Sequence, residues 1–197
     1  MRQKNYRFTL VVAIMLLLPS LSIKAQNVAI KTNLLYDATA TFNGGVEFAM
    51  GKKWTMDLSA NYNPFTFSDN KKWKHWMVQP EARYWLCEKW NGHFFGVHAH
   101  GGQFNVGNLD SSFKFLGIDF EKFKDHRYEG WFIGGGISYG YSWMLSKHWN
   151  FEAEIGIGYA HFDFDKYRCE KCGEKLSEGK KNYVGPTKAA LNLVYIF

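Results

Sequence analysis

The fold is decided by the last stretch of the sequence, Thr187-Lys188-Ala189-Ala190-Leu191-Asn192-Leu193-Val194-Tyr195-Ile196-Phe197. From Ala189 the odd positions read Ala, Leu, Leu, Tyr and Phe, whereas the even positions begin with Lys188, Ala190 and Asn192. Because successive side chains of a strand point to opposite faces, this pattern predicts a strand with one apolar and one mostly polar face. An apolar strand that finishes on an aromatic residue is typical of a closed β-barrel, whose last strand pairs with its first.

The same alternation recurs upstream and predicts seven further strands. We expect them at 28–36, 44–50, 54–62, 76–86, 94–104, 130–144 and 149–159. Short turns alternate with longer connections, of which the longest are Asn105–Glu129 and Ala160–Pro186, and we expect a bulge at Pro80. The sequence therefore predicts an all-β fold, an eight-stranded antiparallel up-and-down barrel.

Two features indicate that the apolar face of this barrel meets lipid. The face with small and polar residues suits the crowded interior of eight strands, which side chains fill. Aromatic residues gather at the strand ends, as in the two interfacial girdles of outer-membrane barrels. These predicted interface aromatics are Tyr36, Trp54, Tyr62, Trp76, Trp131, Trp143, Trp149, Tyr159, Tyr195 and Phe197. We therefore predict a transmembrane barrel of the outer-membrane type with a side-chain-filled lumen; the alternative is a soluble barrel that buries the apolar face.

The amino-terminal residues resemble a targeting segment. A basic start precedes the apolar run Leu10–Leu18, and Ala25 offers a small residue for cleavage, so residues 1–25 are a predicted secretory signal and 26–197 one barrel domain. Residues 1–25 contain four basic and no acidic residues, so the formal charge falls from +6 to +2 without them. This balance does not predict a nucleic-acid partner. We expect the outer membrane as the location, with both mature termini periplasmic.

Three motifs resemble a known family. They are Lys31-Thr32-Asn33-Leu34-Leu35-Tyr36-Asp37, Cys169-Glu170-Lys171-Cys172-Gly173-Glu174-Lys175 and Asn182-Tyr183-Val184-Gly185-Pro186-Thr187-Lys188-Ala189-Ala190. Together they resemble the outer-membrane family catalogued as domain of unknown function 3575. The resemblance implies a small outer-membrane barrel of Gram-negative bacteria, sometimes encoded near fimbria-like genes. It implies no agreed activity and no catalytic residues.

Charged and imidazole side chains fall on the face predicted to point inward. The predicted lumen polar network is Lys31, Glu47, Asp57, Glu81, Arg83, His98, His100, Glu152, Glu154 and Lys188. Buried charges need partners, and both signs are present, so we expect a salt-bridge network that plugs the lumen rather than a channel or a proton path. We expect His98 and His100 to bond Glu81 or Glu152; a metal site is the alternative.

Two further clusters lie in predicted loops. Cys169 and Cys172 are a predicted local disulfide, with a redox or zinc motif as the alternatives. Lys71, Lys72, Trp73 and Lys74 lie just above the predicted outer girdle, where lipopolysaccharide phosphates are found. We weigh a lipopolysaccharide contact equally with a solvated loop.

The sequence favours a non-enzymatic protein with a structural or surface-interaction role in the cell envelope, associated with surface appendages by family analogy only. The alternatives are a narrow porin and a small barrel enzyme acting on envelope lipid or peptide. His126, His161, Asp163 and Asp165 could serve such an enzyme, but no nucleophile is recognisable beside a base. Predicted partners are outer-membrane lipid, lipopolysaccharide, the barrel-assembly machinery through the last strand, and a surface protein through the long loops. No cofactor or metal is predicted.

Overall fold

The structure is a computed structural model that describes residues 27–66, 72–107, 114–115, 118–119, 126–168 and 174–197. Within these residues, eight antiparallel strands form one closed barrel, which confirms the predicted fold. Those strands are β1 (Val28–Asn33), β2 (Phe42–Ala49), β3 (Trp54–Asn63), β4 (Lys72–Trp85), β5 (Gly92–Gly107), β8 (His126–Met144), β9 (Trp149–Arg168) and β10 (Lys175–Ile196). A separate pair, β6 (Lys114–Phe115) and β7 (Ile118–Asp119), forms a two-stranded sheet.

Closure depends on the pairing of β1 with β10. The ladder runs from Ala29 opposite Ile196 to Asn33 opposite Asn192. Beyond Asn33 the chain leaves the sheet, whereas β10 continues towards Lys175 with β9 as its neighbour. One side of the barrel is therefore much taller than the other.

β1 is shorter than predicted, because its end forms helix α1 (Leu34–Ala38). Asn33 caps this helix, since its Oδ1 accepts a hydrogen bond from the Leu35 amide at 3.1 Å. Asp37 then accepts hydrogen bonds from Thr32 and Asn43, which fasten α1 to the two adjacent strands. The prediction that Tyr36 is an interface aromatic is wrong: its side chain lines a cavity in the lumen, because the chain turns before the strand alternation reaches it.

The two long connections are also shorter than predicted. Much of Ala160–Pro186 is strand, because β9 runs to Arg168 and β10 starts at Lys175; β5 and β8 likewise extend into the predicted loop Asn105–Glu129. The prediction of a long loop over Ala160–Pro186 is therefore wrong, whereas the connection predicted over Asn105–Glu129 is shortened to residues 108–125. Strand alternation continues through Phe162 and Phe164, but there the apolar residues are on the inward face instead of the outward one.

The bulge expected at Pro80 is absent from the β3–β4 ladder, where Pro80 lies in register opposite Leu58. On the other side, β4 and β5 resume the same register after a short gap in the ladder that includes Pro80. The proline therefore removes a ladder hydrogen bond without shifting the strands. A real irregularity lies in β10, between Pro186 and Lys188.

Apolar side chains close the lumen at the end with short turns. Ala29, Trp85, Trp90, Phe94 and Val194 form the buried cluster, and the Trp85 and Phe94 rings lie 4.6 Å apart. Trp85 also donates from its indole Nε1 to Thr55 Oγ1 at 2.9 Å, which satisfies its only polar atom. This apolar cluster therefore closes the lumen below the polar side chains.

Two glycines allow β8 and β9 to approach closely. Gly136 lies opposite Gly158, and a Cβ on Gly158 would be 2.2 Å from the carbonyl oxygen of Gly135. By contrast, a Cβ on Gly44 would have no atom within 4 Å.

We predict that Gly158→Ala destabilises the barrel by about 1–3 kcal/mol, because the added methyl group collides with backbone rather than with a movable side chain. Gly44→Ala is the matched control and should leave stability unchanged. The measurement is the urea midpoint of unfolding. The folded fraction at each urea concentration is read from the shift in gel mobility between boiled and unboiled samples. Equal midpoints for the two variants would contradict this account of the packing.

Candidate functional site

Carboxylates line the middle of the lumen on two facing walls. Glu47, Asp57 and Glu81 lie directly opposite one another across β2, β3 and β4. Glu152 and Glu154 project from β9 on the far side of the barrel. Like charges at directly opposed positions destabilise a sheet, so this arrangement needs cations between the walls.

Arg83 supplies the central cation. Its Nη1 lies 2.9 Å from Glu47 Oε2 and 3.2 Å from Glu152 Oε2, while its Nη2 lies 2.7 Å from Glu154 Oε2 and its Nε 3.0 Å from Glu81 Oε2. The guanidinium group is fully buried and lies 4.6 Å above the Phe94 ring. Arg83 therefore ties β4 to both β2 and β9, using the several donors that a guanidinium fork provides.

Two lysines complete the layer. Lys31 contacts Glu47, lies 3.2 Å from Asp57 and 3.6 Å from Glu152, while Lys188 contacts Glu81 and lies 3.1 Å from Glu154. The structure thus brings all eight charged residues of the predicted lumen network into one connected, buried layer. We call these eight residues the ion layer: Lys31, Glu47, Asp57, Glu81, Arg83, Glu152, Glu154 and Lys188.

His98 and His100 are also buried in the lumen, but His98 does not bond the predicted partner. Its Nε2 lies 3.0 Å from Thr187 Oγ1, and Glu81 instead accepts from Ser138 and the cations. The bulge between Pro186 and Lys188 makes this contact possible, because it turns Thr187 inward, which alternation alone does not predict. Among the described residues, no group of three or more His, Cys, Asp or Glu side chains could hold a metal ion.

A cavity of about 340 Å³ lies between the ion layer and α1. Lys31, Asp57, Arg83 and Lys188 of the ion layer belong to its lining, and Leu35 and Tyr36 of α1 line it from the other side. Its remaining walls include amide, hydroxyl, imidazole and aromatic side chains from the interior faces of the strands, among them Asn61, Trp73, His75 and Gln79. Sequence alternation places Asn61 and Gln79 inward, but only the position of α1 shows that they share a cavity.

The remaining predicted interface aromatics lie on the outside of the barrel. Trp54, Tyr62, Trp76, Trp131, Trp143, Trp149, Tyr159 and Phe197 are exposed, and Tyr195 is half-buried against Trp149. In the lysine-rich segment, Trp73 lines the cavity and shares the inward parity of Gln79, so it is separated from Lys74; the lipopolysaccharide contact of this segment stays a prediction. Lys74 lies beside the outward Trp76 in a separate surface depression.

Several predictions fall outside the described part of the chain. They concern the signal segment 1–25, Lys71, the side chain of Lys72, and the pair Cys169 and Cys172. Cys87, in the turn after β4, is an exposed free thiol.

We predict that Arg83→Met destabilises the barrel by about 3–5 kcal/mol, because four buried carboxylates then lose their shared cation. The urea midpoint of the refolded protein measures the loss. Arg127→Met, at a partly exposed arginine of β8, is the control and should change stability by less than about 1 kcal/mol. Adding Glu154→Gln to Arg83→Met should recover part of the stability, since it removes one of the buried carboxylates that Arg83 neutralises and leaves Lys188 to the others. A double variant no more stable than Arg83→Met would argue against the network.

The comparisons with known proteins give a family and nothing finer. No curated protein and no solved structure matches the chain significantly. A family described as "Protein of unknown function (DUF3575)" matches residues 11–197, which is most of the chain. The motif around Lys31 lies in β1, which pairs with β10 to close the barrel, and in α1; the motif around Asn182 lies in β10, where its residues from Pro186 onward line the cavity. This chain is a member of the DUF3575 family.

Proposed function

We propose that the protein is an integral outer-membrane β-barrel with a plugged lumen, and that its role in the envelope is structural or one of surface interaction, without catalysis. The observation that carries the proposal is the polarity of the barrel wall. Along most of the wall, charges point inward and apolar side chains point outward.

The outward surface is apolar over the length of a membrane crossing. Val97, Ile137, Ile155 and Ile157 are each between 58% and 65% exposed, and aromatic residues lie above and below them. From Trp149 to Tyr159, β9 matches the roughly 9–11 residues that a tilted strand needs to cross the hydrocarbon core. Soluble monomers rarely expose a continuous apolar surface of this kind. Among the described residues, no helix is long and apolar enough to span a membrane.

Beyond this belt the polarity reverses. Inward-facing Phe104, Phe132 and Phe162 pack together, with ring centroids 5.6–6.3 Å apart. On the outward side, Asp163 lies 3.5 Å from Lys180. An apolar interior with a charged exterior is the pattern of a sheet in water. The change at Tyr159 therefore supports an interface at that level, with the upper parts of β8, β9 and β10 outside the membrane. We call residues 160–168 of β9, with the parts of β8 and β10 that pair with them, the extension.

The extension is held by polar contacts that suit an aqueous surface. Lys175 lies 2.6 Å from Glu178 and 2.9 Å from Asp165, and these carboxylates hold the pKa of Lys175 above its ordinary value. His161, one of the residues that an enzyme could use, has its Nδ1 2.7 Å from Asn182 Oδ1. These contacts account for His161, Asp163 and Asp165 as structural groups, which favours the non-enzymatic role.

The proposed partners follow from this placement. Lipid covers the apolar belt, and lipopolysaccharide contacts the outer ring near Lys74 and Trp76. The barrel-assembly machinery binds the last strand, β10, which ends beside β1. The extension takes the place of the predicted loops as the surface offered to another envelope protein. Both ends of the barrel domain, Val28 and Phe197, lie together at the short-turn end, which is then periplasmic.

We predict that Ile155→Arg destabilises the protein in phospholipid vesicles by about 2–4 kcal/mol, because the arginine enters the hydrocarbon region. The matched control is Val184→Arg, opposite Tyr159 at the level of the proposed interface, where the wild-type side chain is 82% exposed and the change should cost no more than about 1 kcal/mol. Urea midpoints in vesicles measure both. A soluble barrel would tolerate either exposed substitution within about 0.5 kcal/mol, so equal tolerance would overturn the membrane proposal.

We predict that the barrel does not conduct ions, because the ion layer and the apolar cluster fill its lumen in succession. The measurement is the current across a planar bilayer after insertion of the refolded protein, with a porin as positive control. Uniform conductance steps from the wild-type protein would support the narrow porin instead.

A further inference from the structure

The cavity between the ion layer and α1 has the features of a ligand site. At about 340 Å³ it lies at the lower end of the range for small-molecule pockets, roughly 300–1,000 Å³. It is partly enclosed, since Leu35 and Tyr36 of α1 cover it from one side. Tyr36 lies against Asn61, so the helix and the strand wall share one surface.

Two amide side chains in this wall have unused hydrogen-bonding atoms. Asn61 and Gln79 are only 7% and 4% exposed. Within the described part of the chain, Asn61 Oδ1 and Gln79 Nε2 have no hydrogen-bond partner. Leaving such an atom unpaired in a buried place is destabilising, because the atom has lost its hydrogen bonds to water. One acceptor and one donor on neighbouring strands β3 and β4 therefore await a polar occupant with both kinds of group.

The charges around the cavity do not select an ionic ligand. Arg83, Lys31 and Lys188 are each already bound to two or more carboxylates of the ion layer. The carboxylate in the lining is that of Asp57, which lies 3.2 Å from Lys31 Nζ and 3.8 Å from Arg83 Nη2. The three Lys and Arg side chains of the lining are thus already paired with carboxylates and cannot serve an anion, and a cation would have to compete with all three. A neutral ligand fits this balance best.

Aromatic rings supply the remaining recognition. Trp73 and Tyr36 both line the cavity, and each offers a flat, weakly negative face. The C–H groups on one face of a sugar ring pack well on such a surface, while its hydroxyl groups donate and accept hydrogen bonds at the ring edge. Amides and aromatic rings without free charge are therefore the chemistry that recognises a neutral sugar.

We propose that this cavity binds a neutral saccharide of one or two rings through Asn61 and Gln79, with Trp73 and Tyr36 as stacking surfaces. The site lies in the lumen, enclosed by the barrel wall, and does not depend on membrane insertion. A barrel that fails the membrane test can still bind sugar, and a membrane barrel can fail to bind it.

The test is titration calorimetry on the full barrel, folded in a zwitterionic detergent without sugar headgroups, since maltoside detergents would compete. The probes are glucose, galactose, mannose, N-acetylglucosamine, maltose and lactose at about 10 mM, which fills a site with a Kd of ~1 mM. We expect one-to-one binding of at least one of them, and weaker binding of glucose 6-phosphate. Failure of all six to bind, or tighter binding of the phosphorylated sugar, would overturn the proposal.

Variants tie the binding to the cavity. Gln79→Leu keeps the side-chain size but removes the donor, and it should weaken binding about tenfold, as should Asn61→Leu. Gln103→Leu is the matched control: Gln103 accepts from Trp76 on the outer surface at 3.1 Å, so its loss should leave the affinity unchanged. The gel-mobility shift on boiling confirms that each variant is folded. Wild-type affinity in Gln79→Leu, or an equal loss in Gln103→Leu, would show that the sugar binds elsewhere.

Discussion

The barrel depends on one buried guanidinium. Arg83 contacts carboxylates from β2, β4 and β9, so a single side chain joins walls that lie on opposite sides of the ring. Each carboxylate alone would be costly to bury, and the cation alone would be equally costly. Arg83 and its carboxylates are therefore stable in the interior only when all of them are present. This requirement specifies the interior side chains as strictly as the ladders specify the pairing of the strands.

The small residues of the wall follow from this crowded interior. A Cβ on Gly96 would lie 1.9 Å from Glu81 Oε1, and one on Gly140 would lie 2.3 Å from the Phe94 ring. Large side chains of one strand thus lie over glycines of the neighbouring strand. The lumen becomes a stack of an apolar cluster, the ion layer and a cavity, each of which occupies space that glycine leaves free.

Alternation predicts those features in which side-chain direction depends only on residue parity. It places Arg83 and the carboxylates inside and Trp54 and Trp149 outside, and it identifies the eight strands. It does not place Tyr36, because a capping asparagine ends β1 three residues earlier, nor Thr187, because a bulge changes its side. It also misses the extension, because Phe162 and Phe164 keep the two-residue period but place apolar side chains on the inward face instead of the outward one. Contacts across the barrel, such as His98 with Thr187, need the register of all eight strands.

Because β1 is much shorter than β10, part of β10 has an unpaired edge. Because β1 ends at Asn33, opposite Asn192, the described part of β10 from Lys175 to Pro186 pairs with β9 on one side only. Exposed backbone of this kind invites edge-to-edge aggregation. Lys180, Lys181 and Pro186 lie along this margin: two charges that repel an approaching chain and a residue that cannot donate. The uneven rim thus carries, along the free edge of β10, residues that oppose pairing with another chain.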